Sequence, residues 1–362
     1  MEFGRGTAVT AIRVVHIPGR TPYARKLHDE SIQALNGVSV DGHAVPRDAT
    51  LTWLLEHRPW DWLDVVHMHH PDFEPIPRLR AVLAECRRAR KRVVFTAHDV
   101  SPVLGDRAAH HRRLRMFAEY GVPFVCLTPA AEIEVRWRFG ARTAVVPHGY
   151  VAAPKTPTRP VRSDPGPTRF LIYGSLRRNR DVELALACWR FARHLAETTL
   201  HLLLRAPSRV SLSEDAGVWQ AIREHAADPR LRVDVLPFPT DDEVNEAVAD
   251  ADCLLLPYRW VSHSGQLEHA LDLGVLPVAP RTGFLPDQVA LHRGLVPKLA
   301  WFDWSDSTPF DHGARLLDAM QSAHAAIQDG WQACNAEKFA DHRSSEHTQV
   351  MAAYRMLYEG GR

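Results

Sequence analysis

The chain has 362 residues, and its 44 lysine and arginine residues nearly balance its 43 aspartate and glutamate residues, giving a formal net charge of +1. This balance excludes recognition of nucleic acid or of an anionic membrane through overall charge, and we expect no nucleic-acid partner. The five cysteines are widely spaced, no segment approaches about 18 consecutive apolar residues, and no apolar leader pattern precedes the first strand. We therefore expect reduced thiols, a cytoplasmic location and neither export nor a membrane span.

The first 150 residues alternate short β-branched runs with longer amphipathic stretches. Predicted strands cover residues 11–17, 65–68, 92–96, 124–127 and 143–146, and predicted helices cover residues 23–35, 78–90 and 129–139. Strands that alternate with helices form a parallel sheet covered on both faces. Residues 1–150 are therefore predicted to form one Rossmann-like domain.

A segment with five prolines, residues 151–167, predicts a semi-rigid linker, after which the alternation resumes over residues 168–335. Predicted strands cover residues 169–174, 199–206, 231–237, 253–258 and 276–280, and predicted helices cover residues 181–196, 215–225 and 240–249, with one more inside 262–280. The sequence thus predicts an α/β protein of two Rossmann-like domains facing each other across a cleft. Ligands of such sheets bind beyond the carboxyl ends of the strands, in the strand-to-helix loops.

One of these loops precedes the helix in SHSGQLEHALDLG, residues 262–274. Ser262, His263, Ser264 and Gly265 offer hydroxyls and backbone N–H groups at a helix N-terminus, where about half a positive elementary charge resides. This pattern is typical of an anion site. Glu268, one turn later, is too close to a phosphate to bind it, but its carboxylate can accept both hydroxyls of a neighbouring ribose. The alternative is that Ser264 is an ordinary N-cap and Glu268 a solvated surface residue.

A second loop carries three arginines in YGSLRRNRDVELAL. The preceding strand ends at Gly174 and Ser175, and Arg177, Arg178 and Arg180 follow before the next helix. Guanidinium groups in such a loop can bind a diphosphate bidentately and stabilise its charge as it departs. The alternative is a solvated basic turn. Together the two loops predict a nucleotide-sugar site.

In these blocks the sequence resembles the retaining GT-B glycosyltransferases of family 4. The resemblance spans most of the chain, and the matching blocks are DVVHMHHPDF, RVVFTAHDVSP, LTPAAEIEVRWRFGARTAVVPHGY, YGSLRRNRDVELAL and LLLPYRWVSHSGQLEHALDLGVLPVA, in that order. It implies the GT-B fold, an acceptor-binding first domain and a donor-binding second domain. It also implies that a C-terminal helical segment, residues 336–362, packs back on the first domain.

The resemblance assigns roles to the donor loops. The family's basic pair, which binds the donor diphosphate, corresponds to Arg177 and to Arg180, the latter at a position usually occupied by lysine. The family has two glutamates eight positions apart; the second, which binds the ribose, corresponds to Glu268, whereas Trp260 occupies the position of the first. A subgroup carries S-x-S-G here instead, which implies that the amides of residues 263–265 take over the missing contacts.

The resemblance also assigns residues of the first domain. His98 corresponds to the histidine of the family's TxH block and is expected beside the donor sugar hydroxyls and phosphate. Gly19 and Arg20 correspond to the loop after the first strand, which approaches the diphosphate from the opposite wall. Tyr23 lies in a loop expected to help select the acceptor.

Several patterns mimic sites of other kinds. The segment DAD at residues 250–252 resembles a D-x-D metal motif but lies where a helix meets a strand, which favours a capping or surface role. His67, His69 and His70 have metal-like spacing without a carboxylate or cysteine to complete a set, so we interpret His69 and His70 as an acceptor-side wall and predict no metal. The basic run RRARKR, residues 87–92, complements its helix dipole; peripheral contact with anionic lipid is the second interpretation.

We therefore predict a glycosyltransferase of hexosyltransferase type that moves a sugar from a UDP- or GDP-sugar to a hydroxyl of a glycan, lipid-linked or small natural-product acceptor. The nucleotide sugar is a co-substrate, and no cofactor or metal is expected because arginines and a helix N-terminus meet the developing charge. Retention is implied by the resemblance, whereas a general-base role for His98 on the opposite face would give inversion. The sequence does not indicate an oligomeric state.

Two other functions remain open on the same fold. One is a sugar-nucleotide epimerase or hydrolase, which needs no acceptor. The other is a catalytically silent subunit that binds a partner glycosyltransferase, because Trp260 stands where the family has a glutamate.

Overall fold

The computed structural model describes residues 11–72, 74–103, 105–154, 166–207, 216–292, 294–296, 299–304, 308–332 and 336–360. The chain divides into two compact units: unit 1 comprises residues 1–148 and 346–362, and unit 2 comprises residues 149–345. Most of the predicted linker lies outside the described residues. Within the described part of the chain, no helix is both long enough and apolar enough to cross a membrane.

Unit 1 contains a parallel six-stranded sheet in the order β2-β1-β5-β6-β7-β8, and a two-stranded antiparallel pair, β3 and β4. The strands are β1 (Ile12–Ile17), β2 (Ile32–Ala34), β3 (Ser39–Val40), β4 (His43–Ala44), β5 (Val65–Met68), β6 (Arg92–Thr96), β7 (Phe124–Cys126) and β8 (Thr143–Val145). The helices are α1 (Pro22–Arg25), α2 (Leu51–His57), α3 (Ile76–Arg88), α4 (Arg107–Glu119) and α5 (Pro129–Phe139). Every residue of β5 and β7 is buried, as expected for central strands covered on both faces.

Local sequence signals set the helix ends, as α5 shows. The Thr128 hydroxyl accepts a hydrogen bond from the N–H of Ala131 at 3.2 Å, and Pro129 occupies the first helical position, where no N–H is required. The helix ends at Gly140, whose φ of +61° is the left-handed conformation that glycine adopts without strain. The cap, the proline and the glycine therefore bracket the helix, whose bounds agree with the predicted range 129–139.

The helix predicted over residues 23–35 is wrong. Only the four residues of α1 are helical, and residues 32–34 form β2 beside β1. The cause is Asp29, whose carboxylate accepts hydrogen bonds from the N–H groups of Ser31 at 2.7 Å and Ile32 at 2.9 Å. This local turn offers the backbone an alternative to the helix, and the β-branched Ile32 then enters the sheet.

Unit 2 contains a second parallel six-stranded sheet, in the order β11-β10-β9-β12-β13-β14. Its strands are β9 (Thr168–Gly174), β10 (Thr198–Arg205), β11 (Leu231–Leu236), β12 (Cys253–Leu255), β13 (Leu276–Pro280) and β14 (Ala300–Phe302). The helices that follow in the chain are α6 (Val182–Phe191), α7 (Ala216–His225), α8 (Asp241–Asp250), α9 (Gly265–Asp272), α10 (Leu285–Ala290), α11 (Pro309–Gln328) and α12 (Ala336–Glu359). The prediction of an α/β protein with two parallel sheets is confirmed.

The sheet of unit 2 buries a hydrophobic cluster on each face. Successive side chains of a strand point to opposite faces, so Phe170 and Ile172 pack in one cluster and Leu171 packs in the other. In unit 1, the end of α12 supplies Tyr354 and Tyr358 to the core around β1 and β5.

Each sheet has a point where the chain reverses its direction of strand addition. In unit 1 the chain goes from β1 to β2 on one side and then to β5 on the other; in unit 2 it goes from β9 through β10 to β11 and returns to β12. The loops after the two central strands then leave on opposite sides and open a crevice at the carboxyl ends. The strand order alone therefore predicts ligand binding at the loops after β1 and β5 in unit 1 and after β9 and β12 in unit 2.

Candidate active site

In unit 2 the arginine loop, residues 175–180, is joined to the chain that follows β12. The backbone N–H of Arg259 donates to the carbonyl of Asn179 at 2.8 Å, and the Asn179 side chain donates to the carbonyl of Trp260 at 2.9 Å. The backbone of Arg180 pairs with that of Tyr258 as an isolated antiparallel bridge. The two loops identified separately from sequence thus form one structure at the reversal point.

Arg180 links the end of β9 to the first turn of α9. Its guanidinium donates to the carbonyl of Tyr173 at 2.9 Å and to the side-chain oxygen of Gln266 at 3.0 Å, and it lies 5.5 Å from the centre of the Tyr258 ring. Burial lowers the pKa of this guanidinium, which nevertheless stays charged. Among the described residues no carboxylate pairs with it, and its Nε is buried without a hydrogen-bond partner. A buried cation without a counterion favours an anion nearby.

The other predicted residues of the arginine loop are more accessible. Arg177 and Arg178 are exposed, whereas Ser175 is half-buried. Gly174 has a φ of +100°, and a Cβ there would lie 3.1 Å from the side-chain nitrogen of Gln266. A side chain at this position would strain the backbone and crowd the first turn of α9.

The structure makes Ser264 the N-cap of α9. Its hydroxyl accepts from the N–H of Leu267 at 3.1 Å, and its own N–H donates to the side chain of Gln288 at 3.0 Å. The helix geometry leaves the N–H groups of Gly265 and Gln266 without partners inside α9. Ser262 and His263, the other predicted donor ligands, are buried beside this turn.

Glu268 is buried, so its interpretation as a solvated surface residue is wrong. Only 2% of it is exposed, and its carboxylate accepts from Gln288 Nε2 at 2.7 Å and from His292 Nε2 at 3.2 Å. Arg343 from α12 lies 2.9 Å from the same carboxylate and also donates to Asp272 at 2.8 Å. The carboxylate predicted to bind a ribose therefore already holds three partners of its own unit, none of which the sequence indicated.

His269, the next residue of α9, is held as a neutral imidazole. Its Nε2 lies 2.8 Å from the Asn245 side-chain oxygen, which can only accept, so Nε2 carries the proton and Nδ1 accepts from the Tyr173 hydroxyl at 2.9 Å. Burial lowers the pKa of His269 to about 4. The folded state therefore takes up this proton at lower pH than the unfolded chain does.

We predict that this difference makes stability depend on pH between about 6.5 and 4. The lowered pKa leaves the contribution of His269 intact above pH 6.5 and removes it as the pH falls, by about 2 kcal/mol at pH 5. Urea unfolding of the native chain and of His269→Gln at several pH values isolates this contribution, because the other titrating groups cancel. Parallel stability curves for the two proteins would contradict it.

In unit 1 the loops after β1, β5 and β6 bring the predicted histidines together. His69 Nδ1 lies 3.2 Å from His98 Nε2, and the rings of His70 and His98 stack with centres 5.0 Å apart. The Tyr23 ring meets His98 edge to face at 4.6 Å. His16 of β1, which was not predicted, places Nδ1 3.0 Å from His69 Nε2.

A second hydrogen-bonded network lies beneath these residues. His67 bonds the Tyr358 hydroxyl through Nδ1 and the Thr96 hydroxyl through Nε2, both at 2.7 Å. The Tyr354 hydroxyl lies 2.9 Å from Thr96 and 2.7 Å from Tyr23. Ring nitrogens of His16, His67 and His69 lie within 4.8 Å of one another, a spacing that metals use. Both ring nitrogens of His67 are hydrogen-bonded to hydroxyl groups, so we interpret these residues as a hydrogen-bonded network.

The two predicted residues after β1 differ in exposure. A Cβ on Gly19 would lie 2.4 Å from the carbonyl oxygen of Arg47 and 2.3 Å from the Asn36 side chain, so only glycine fits. Arg20 is exposed and pairs with Asp48 at 2.7 Å. The loop is therefore fixed by close backbone packing, with its arginine at the surface.

The D-x-D mimic has a structural explanation. Asp252 is 1% exposed and accepts hydrogen bonds from the backbone N–H of Arg169 at 2.8 Å and from its guanidinium at 3.2 Å. It precedes β12 and lies at the amino end of the strand, whereas the arginine loop follows the carboxyl end of β9. Asp252 thus joins two strands in the core, which differs from the surface or capping role that the sequence favoured, whereas Asp250 of the same segment is exposed as that interpretation expected.

No protein-family model and no curated protein matches the sequence. Solved structures do match it. Sucrose-phosphate synthase (tll1590) from Thermosynechococcus elongatus aligns over 97% of this chain and 100% of its own, with 14% identity and a TM-score of 0.63. HepE from Anabaena, in complex with UDP, aligns over the same shares with 13% identity and a TM-score of 0.63. The UDP-forming α,α-trehalose-phosphate synthase from Burkholderia vietnamiensis aligns over 96% and 98%, with 12% identity and a TM-score of 0.58.

The chain has the GT-B fold. This confirms the fold that the resemblance implied. At such identities the match concerns the path of the backbone, so the roles of individual side chains are argued from their own geometry.

Proposed function

We propose that the protein transfers a sugar from a UDP-sugar to a hydroxyl acceptor. The observation that carries this proposal is Arg180, a buried cation at the reversal point of the unit 2 sheet that pairs with no carboxylate of the described residues. Arg177 of the same loop is exposed and available to a ligand. The choice of uridine is supported by HepE, a structure of the same fold determined with UDP and with UDP-glucose.

In the proposed complex the diphosphate contacts Arg177, Arg180 and the first-turn N–H groups of α9. Ser262 and His263 lie beside that turn and complete the donor site. Glu268 binds the ribose hydroxyls in addition to its internal partners, since a carboxylate offers about four acceptor positions.

The proposed reaction breaks the bond between the anomeric carbon and the diphosphate oxygen and forms a bond from that carbon to the acceptor oxygen. Negative charge develops on the departing diphosphate, where guanidinium groups and helix N–H groups stabilise it without a metal. We propose attack from the same face, with the diphosphate oxygen taking the acceptor proton, which retains configuration. His70 of unit 1, which is half-buried, is proposed to contact the acceptor. Tyr23 and His69 are buried and hydrogen-bonded within unit 1, so they are proposed to support the acceptor side without touching the acceptor. We expect the enzyme to work in the cytoplasm.

A melting experiment with nucleotides tests the donor site. With EDTA present, we predict that UDP raises the Tm, whereas uridine, which lacks the diphosphate, and the other diphosphates GDP, ADP and dTDP raise it less. At 100 times its dissociation constant a ligand adds roughly 2.7 kcal/mol, which amounts to several degrees for a chain of this size.

Each result of this experiment decides something. A shift with UDP but not with uridine supports a diphosphate site, and a preference for GDP would replace the uridine proposal. If no nucleotide changes the Tm, the donor site is wrong. UDP release from the donor sugar without any acceptor would favour a hydrolase, and UDP binding without turnover would favour a silent subunit.

A further inference from the structure

Three imidazoles of unit 1 form a continuous chain, which we call the histidine chain. His98 Nε2 lies 3.2 Å from His69 Nδ1, and His69 Nε2 lies 3.0 Å from His16 Nδ1. His16 and His69 are each 1% exposed, whereas His98 is half-buried. One end of the histidine chain is therefore in the core and the other faces the residues assigned to the acceptor.

The two buried members of the histidine chain are neutral. Burial lowers the pKa of His16 to about 3, and burial together with the neighbouring histidines holds the pKa of His69 well below its usual range. A neutral imidazole donates from one nitrogen and accepts at the other. His69 bonds through both nitrogens, so the two hydrogen bonds must run in the same direction, and only two arrangements exist.

In the first arrangement the protons point inward. His98 Nε2–H donates to His69, His69 Nε2–H donates to His16 Nδ1, and the remaining proton of His16 is on Nε2. In the second arrangement the protons point outward: His16 Nδ1–H donates to His69, His69 Nδ1–H donates to His98 Nε2, and His98 carries its own proton on Nδ1. The two arrangements give opposite chemistry at the exposed end.

The core end of the histidine chain distinguishes them. His16 Nε2 is buried and has no hydrogen-bond partner among the described residues. The first arrangement leaves an N–H there without an acceptor, and the second leaves only a lone pair without a donor. Either group loses hydration on burial, but unpaired buried donors are the rarer case in native proteins. The core end therefore favours outward-pointing protons.

We infer that His16 and His69 are positioning residues that hold His98 in the Nδ1–H tautomer. In that state His98 Nε2 already accepts the His69 proton, and His98 Nδ1 carries a proton of its own. This tautomer offers no ring lone pair to a new proton, so it can serve the proposed substrate as a hydrogen-bond donor but not as a general base. A general base would take a proton from the substrate at the exposed end of the histidine chain. If that proton moved inward, it would leave a cation on His16, which burial disfavours. This extends the proposed function by deciding the role of His98.

Nitrogen NMR of a histidine-labelled sample tests the inference without requiring activity. Long-range proton–nitrogen correlations distinguish the Nδ1–H from the Nε2–H tautomer, and the signals missing from a His98→Asn sample identify His98. We expect the Nδ1–H pattern in the native chain and its loss in His69→Phe, which keeps a ring but removes both bonding nitrogens. An Nε2–H pattern, or a cationic ring at pH 7, would overturn the inference even if His69→Phe failed to fold.

Kinetics supply a second readout that depends on the proposed function. An asparagine amide can replace a donating Nδ1–H but not a base, so we expect His98→Asn to keep kcat within about tenfold and His98→Ala to lose more. If both variants lose about 10²–10⁴-fold equally, the general-base role holds and the inference fails. If the native chain shows no transferase activity, the proposed function fails, while the tautomer measurement still stands.

Discussion

We expect Arg177→Ala to lower kcat for sugar transfer by about 10²–10³-fold, while Arg178→Ala leaves it within a few-fold of the native value. Both arginines are exposed in the same loop, so the pair differs in position and hardly in chemistry. Loss of one donor to developing oxyanion charge has an effect of this size. The Tm should stay nearly constant in both variants, because exposed side chains of this kind contribute within about 0.5 kcal/mol to stability.

UDP release at saturating donor and acceptor gives kcat, and titration of UDP gives the affinity of the same proteins. Equal losses in the two variants would mean that the loop acts only as a general basic surface, contrary to the assignment of Arg177. Arg180 is a less suitable target, because its contacts with Tyr173 and Gln266 also join β9 to α9. Its replacement would mix lost catalysis with lost structure.

The sequence predicts those parts of the fold that depend on local patterns. Short β-branched runs followed by amphipathic stretches specify both parallel sheets, and their carboxyl ends then locate the arginine loop and the turn at Ser264. The helix predicted over residues 23–35 is wrong for a local reason too, because the turn at Asp29 competes with the helix that the apolar spacing favours.

Pairings between distant parts of the chain could not be predicted in the same way. Arg343 pairs with Glu268 although it belongs to a helix much later in the sequence, and no hydrophobic period or motif spacing in the sequence relates the two residues. His16 offered a weak signal, as a histidine inside the apolar run AIRVVHI. Such a polar residue on a buried strand needs partners, but the sequence does not say that His69 is one of them.

We expect Glu268→Ala to be the most destabilising of the substitutions considered, at about 3–5 kcal/mol. Glu268 and Arg343 are each 2% exposed and lie 2.9 Å apart, so removing the carboxylate takes one counterion from a buried cation that also pairs with Asp272. Breaking one side of a buried pair has a cost of this order. Urea unfolding measures it, and the Tm should fall by about 4–7 °C.

The matched comparison is the pair Glu268→Gln with Arg343→Met, alone and together. The double variant should be less destabilised than the two single changes added together, because no member of the pair then remains without its partner.

Arg343→Met also leaves the buried carboxyl of Asp272 without Arg343, and burial already raises the pKa of that carboxyl. A raised pKa favours the folded state at low pH, so Arg343→Met should be less destabilising at pH 5 than at pH 8. Simple additivity at both pH values would contradict the pairing.

The ribose role of Glu268 needs a test that does not depend on this destabilised variant, and the ligand provides one. If the carboxylate accepts a ribose hydroxyl, 2′-deoxyuridine diphosphate should bind the native protein about 1–3 kcal/mol more weakly than UDP, the scale of a hydrogen bond to a charged group. Glu268→Gln, measured below its Tm, should lose most of that difference because its amide is a weaker acceptor. Equal affinities for the two nucleotides in the native protein would limit Glu268 to its internal partners, as a residue that holds α12 against α9 through Arg343 and never meets the donor.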